Sequence, residues 1–159
     1  MLSVIFVRSA GPGTEKTTLE SHISHLVASC ERYPGIRWPA KVYAGTSPEA
    51  LRTADLLSEK LRIKGRRCES VLPVNTLERE AGDEFSKTVI PSAESGVQTV
   101  VAVGDQDVID ANVKYLAGCN KGFASSLVGR VSGGDGLWLP VSGDWGDVQE
   151  SSIHSFQLL

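Results

Sequence analysis

The sequence predicts an α/β protein, a three-layer α/β/α sandwich with helices on both faces of a mostly parallel sheet and an antiparallel hairpin near the C-terminal end. Three observations predict it. The short apolar runs "SVIFV" and "QTVVAVG" lack the apolar-polar alternation of a strand with one wet face, so they suit strands covered on both sides. Stretches of helical period lie between such runs. The last segment changes style, to short apolar runs broken by Gly-rich turns. With 159 residues and 41% hydrophobic composition, one domain spanning 1–159 can bury roughly two-thirds of the surface its unfolded chain exposes.

Taken in order, "SVIFV" is the first strand. "TTLESHISHLVASCER" then sets Leu19, Ile23, Leu26, Val27 and Cys30 on one helical stripe, with Thr17 and Glu20 spaced as a capping box. "KVYAG" is a second strand. "TSPEALRTADLLSEKLRIKG" carries a cap residue, Pro48 in its first turn, apolar Leu51, Ala54, Leu57 and Leu61, and a terminating Gly65, and so predicts a second helix. "ESVLPVN" is expected to be another strand, and residues 78 to 95 an irregular or helical insertion containing Pro91. "QTVVAVG" is a central strand, and "DVIDANVKYLAG" a helix ended by Gly118. "GLWLPV", a "SGDWG" turn and "SIHSFQLL" form the terminal hairpin.

Composition excludes several functions. The net charge is −3, and acidic and basic residues are interspersed without a basic stripe, which argues against nucleic-acid binding and against an anionic membrane surface. Near the N-terminus the longest apolar run, "VIFV", is followed by Arg8, so no signal peptide or transmembrane helix is expected there and the protein is expected to be cytoplasmic. Cys30, Cys68 and Cys119 are odd in number and far apart, which predicts reduced thiols in packing roles rather than disulfides or a zinc site. No cofactor is expected.

In open α/β sheets the ligand crevice lies beyond the carboxyl ends of the strands. The loops expected there read "VRSAG", "VYAGTSPEALRTADLL" and "VAVGDQDVI". In that order and spacing, over nearly the whole chain, they resemble the histidine phosphatase superfamily, phosphoglycerate mutase-like in fold, and above all its small bacterial phosphohistidine phosphatases. The resemblance implies a first motif of a strand followed by Arg-His-Gly, with the His as phosphate-accepting nucleophile and the Arg gripping phosphoryl oxygens. Arg8 matches, but Ser9 stands in the nucleophile position. The second motif, roughly "VYSSPLLRARQTAELL", aligns its Thr-Ala with Thr53 and Ala54 and puts Glu49 where a second pocket Arg belongs. The third motif supplies another His, and Asp105 holds that place. The family's general acid, often after a Leu in a loop between the second and third motifs, corresponds to Glu78 in "NTLERE".

These departures remove the family's chemistry. An imidazole must attack phosphorus, and cations must balance the dianion. Serine attacks only if a neighbouring base takes its proton or a metal lowers its pKa, and His22, His25 and His154 are not placed for this. Exchanging a cation for Glu49 turns an attraction of roughly 4 kcal/mol, at about 4 Å and an effective dielectric of about 20, into a similar repulsion. Asp105 adds a second repulsion. Arg8 is expected to pair with Glu49 or Asp105, filling the old site from within. Arg52, three residues beyond Glu49 and on the same helical face, is the possible substitute anion ligand.

Plainer readings stand beside these. Glu49 and Thr46 have capping-box spacing, Asp105 suits an N-cap, Ser9 can satisfy backbone donors in its turn, and Glu78 can be a solvated loop residue. His22 and His25 form at best an incomplete metal pair, and no metal site is expected. Trp38 and Trp138 suit packing under loops, whereas Trp145, in a Gly-Asp-Trp-Gly turn, is expected to be exposed and able to anchor a partner. The favoured function is a catalytically inactive, phosphatase-like protein with a binding or regulatory role toward a protein partner. One alternative is an active phosphohydrolase using Ser9, or a metal gathered by Glu49, Glu78 and Asp105. Another is a structural or assembly module, with a homo-oligomer as one form, that uses the Trp145 hairpin.

Overall fold

A computed structural model describes residues 2–117, 133–148 and 157–159. Among them six strands form one sheet in the order β3-β2-β4-β1-β5-β6. The strands are β1 (Leu2–Arg8), β2 (Ala40–Ala44), β3 (Leu72–Pro73), β4 (Thr99–Gly104), β5 (Gly136–Val141) and β6 (Gln157–Leu158). β1 to β4 are mutually parallel, with β1 and β4 in register from Ser3 opposite Thr99 to Arg8 opposite Gly104. β5 runs antiparallel to β1, and β6 antiparallel to β5.

Alternation along the buried strands builds the two core layers. Ile5, Val7, Val42, Ala44, Val101 and Val103 pack on one face against α1 (Lys16–Arg32) and α2 (Pro48–Ile63). Val4, Phe6, Val100, Ala102, Leu137 and Leu139 pack on the other, against α3 (Gln106–Ala117) and the segment that carries Phe85 and Ile90. Every residue of β4 is buried, which is why its sequence shows no polar alternation. The α/β/α sandwich, the mostly parallel sheet and the antiparallel terminal pairing are therefore as predicted.

Four local expectations are corrected. α1 begins one residue before Thr17, after an N-cap Glu15 that makes no side-chain cap, and Glu20 pairs with Lys16 at 3.8 Å, so the Thr17–Glu20 capping box does not form. α2 is capped by Ser47, whose Oγ accepts from the Ala50 amide at 3.2 Å, and not by a Thr46–Glu49 box. "ESVLPVN" supplies only the two-residue β3, preceded by an isolated bridge from Cys68 to Ala40. Trp145 is 3% exposed, and its Nε1–H donates to the Val97 carbonyl at 2.7 Å. The aromatic expected on the surface is core, so the assembly reading loses its anchor.

Residues 75–92 form short 3₁₀ and π turns, as the irregular insertion predicts. Buried Asn112 ties them to α3, accepting from the Ser86 amide and hydroxyl at 2.9 and 2.7 Å and donating to the Gly82 and Val108 carbonyls. Cys30 and Cys68 are free thiols, and burial pushes Cys30 up to about 12. Gly118, Cys119 and His154 lie outside the described residues. No described helix is long and apolar enough to cross a membrane.

Candidate functional site

At the carboxyl ends of β1, β2 and β4 the backbone itself draws the motif loops together. The Ser9 amide donates to the Gly104 carbonyl at 2.8 Å, and the Gly45 amide to Val103 at 3.0 Å. The chain entering β5 closes the other side: Gly134 donates to the Arg8 carbonyl at 2.8 Å, and Arg8 to Asp135 at 3.0 Å. The result is a crevice of about 470 Å³ whose lining includes Arg8, Ser9, Glu49 and Asp105. Four residues from three distant motifs thus share one cavity. Among the described residues, the turn from Ala10 to Pro12 lines it too, with Ser47, Gln106 and Gly133.

Two helices begin at this crevice, and each brings the partial positive charge of its N-terminus. Each such end already has a carboxylate of the chain. Glu49 lies in the first turn of α2. Asp105 precedes α3, and its Oδ1 accepts from the Val108 amide at 3.0 Å, so the plain N-cap reading holds. Helix ends of this kind bind phosphate when their amides and dipole are unanswered. Here side-chain oxygens answer part of that demand.

The other expected residues lie elsewhere. Glu78 does not line the crevice: its Oε1 accepts from the Thr46 amide at 2.7 Å and from the Thr46 hydroxyl, so it is a docked residue rather than a solvated one. With Glu78 held there, the three carboxylates do not gather, and among the described residues no group of three or more His, Cys, Asp or Glu could hold a metal ion. Arg52 is exposed and donates to the Thr14 carbonyl at 3.3 Å; it does not line the crevice. The expected Arg8–Glu49 or Arg8–Asp105 pair is not among the ion pairs of the described residues. Among the described residues the Ser9 side chain makes no bond that holds its turn; the Thr14 hydroxyl does so, donating to the Gly11 carbonyl at 2.8 Å.

Two residues named in the sequence, but not for the bonds they make here, hold the site together. Thr53 is fully buried; its Oγ1 accepts from the Ala10 amide at 3.0 Å and donates to the Glu49 carbonyl at 2.8 Å, bolting the loop after β1 to the first turn of α2. His22 bonds through Nδ1 to the Gly133 carbonyl at 2.6 Å. A carbonyl can only accept, so Nδ1 carries the proton, and the ring braces the crevice wall from behind rather than serving Ser9 as a base. Among the described residues no histidine lines the crevice.

No protein-family model and no curated protein sequence matches the chain. Solved structures do. The proposed phosphohistidine phosphatase SixA of Nakamurella multipartitia superposes with a TM-score of 0.64 at 14% identity, over 98% of this chain and 95% of its own. The proposed SixA of Agrobacterium tumefaciens gives 0.64 at 14% identity, over 98% and 97%. A mycobacterial glucosyl-3-phosphoglycerate phosphatase gives 0.57 at 11% identity, over 100% and 97%. The fold implied by the sequence resemblance is the fold found: a phosphoglycerate mutase-like sandwich, shared with these structures over nearly the whole chain.

Proposed function

We propose that the chain is a catalytically inactive, phosphatase-like protein that acts in the cytoplasm by binding a protein partner. One observation carries the reading. The crevice in which a histidine phosphatase would hold phosphate is lined by Glu49 and Asp105, each stationed at a helix N-terminus that would otherwise attract the anion. A phosphate dianion entering beside Arg8 meets two like charges and a hydroxyl without a neighbouring imidazole among the described lining residues. Neither a nucleophile nor charge balance is supplied, so phosphoryl transfer has no route through these side chains.

The test is hydrolysis of p-nitrophenyl phosphate and of a phosphohistidine-bearing protein, with and without divalent metal ions, by the intact chain and by its Ser9→Ala variant. The expected result is no turnover above the variant under any condition. Turnover that Ser9→Ala abolishes would overturn the reading.

A further inference from the structure

Five of the chain's sixteen Lys and Arg residues, Lys60, Arg62, Lys64, Arg66 and Arg67, fall in one stretch of eight that contains no acid. The interspersed charge of the whole chain conceals this cluster. Lys60 and Arg62 lie in the last turn of α2, where cations answer the negative end of the helix. That account stops at the helix end. Arg66 and Arg67 come after Gly65, which turns the chain at φ +74°.

These side chains line a second cavity of about 400 Å³, at the end of α2 remote from the crevice, formed by Arg62, Arg66 and Arg67 with Pro39, Cys68 and Glu69. The volume is within the range of small-molecule sites. Its backbone is held on both sides: the Arg66 amide donates to Leu61 at 2.9 Å, and the Ala40 amide donates to the Arg67 carbonyl at 2.9 Å. None of the three guanidinium groups is in an ion pair among the described residues. Arg62 Nε donates to the Cys68 carbonyl at 3.2 Å, but Arg66 Nε is buried without a hydrogen-bond partner among the described residues. A buried donor left unmet is costly, and native structures normally satisfy it.

We propose that this cavity binds the polyphosphate group of a small molecule. Guanidinium groups are weakly hydrated, stay charged and present planar forks that fit phosphoryl oxygens two at a time. Three of them against the single carboxylate of Glu69 leave a local charge that suits a di- or triphosphate better than a single carboxylate. The site is independent of the crevice and of whether the crevice is catalytic.

The test is calorimetric titration of the intact chain with inorganic tripolyphosphate. The expected result is one bound equivalent, weakened about tenfold or more in the Arg66→Gln, Arg67→Gln double variant, weakened less by Arg67→Gln alone, and unchanged by Lys114→Gln, which removes a cation elsewhere. Since Arg67 is exposed, the single variant reads binding without risk to the fold. Bound tripolyphosphate should also protect Cys68 from alkylation, as located by peptide mapping. Absence of binding at millimolar ligand, loss of binding in Arg8→Gln, or an oligoglutamate peptide binding as tightly as tripolyphosphate would each overturn the proposal.

Discussion

The two ends of α2 use charge in opposite ways. At the N-terminal end, polar and acidic groups are engaged in holding the fold: Ser47 caps the helix, Glu78 holds Thr46, Thr53 bridges two backbone groups, and Asp105 caps the neighbouring helix. At the C-terminal end, Arg66 and Arg67 surround a cavity without a carboxylate in ion-pair range among the described residues. The difference teaches where ligand binding can still be gained. A region whose acids already answer its helix ends has little left to offer an anion, while a region whose guanidinium groups make no ion pair among the described residues has more.

The sharpest way to break the contrast is to disturb the crevice wall. Gly134 has φ +86°, and a Cβ there would sit 2.8 Å from His22 Cβ. Gly134→Ala should therefore cost about 2–4 kcal/mol, combining backbone strain with overpacking, as read by urea unfolding. Next comes Thr53→Val, which keeps the shape and deletes both hydrogen bonds, leaving the Ala10 amide without its acceptor; the expected loss is about 1–3 kcal/mol. The smallest effects sharpen the contrast directly. Asp105→Ala should lose about 1 kcal/mol and Asp105→Asn much less, because the capping oxygen remains. Arg67→Gln should stay within about 0.5 kcal/mol of the parent, since no fold-holding ion pair depends on it. Equal losses from Asp105→Ala and Arg67→Gln would erase the distinction between a structural end and a binding end.

Long, continuously buried elements were legible in the sequence. β1, β4, α2 and the stripe on α1 announce themselves because local period and burial agree. β3 was overextended because an exposed edge with Pro73 needs few ladder bonds, and an apolar run alone does not show where pairing stops. The convergence of Arg8, Ser9, Glu49 and Asp105 was legible because their loops all follow parallel strands. Their partners were not. Thr46 meets Glu78 across 32 positions, His22 meets Gly133 across 111, and Trp145 finds Val97 across 48; none of these separations leaves a periodic trace. The basic cluster was visible in "KLRIKGRR", but an even charge balance along the rest of the chain masked it.

One helix joins the acid-lined crevice to the arginine cavity, and this makes their relative bearing a matter of helical phase. α2 has 16 residues, a rod of about 24 Å in which each residue advances the direction by about 100°. An extra residue inserted at its midpoint would swing Arg62 and the turn after it by that angle while Thr53 kept the first turn in place. Seven extra residues, nearly two whole turns, would bring the cations back almost to their original heading, farther along the same axis.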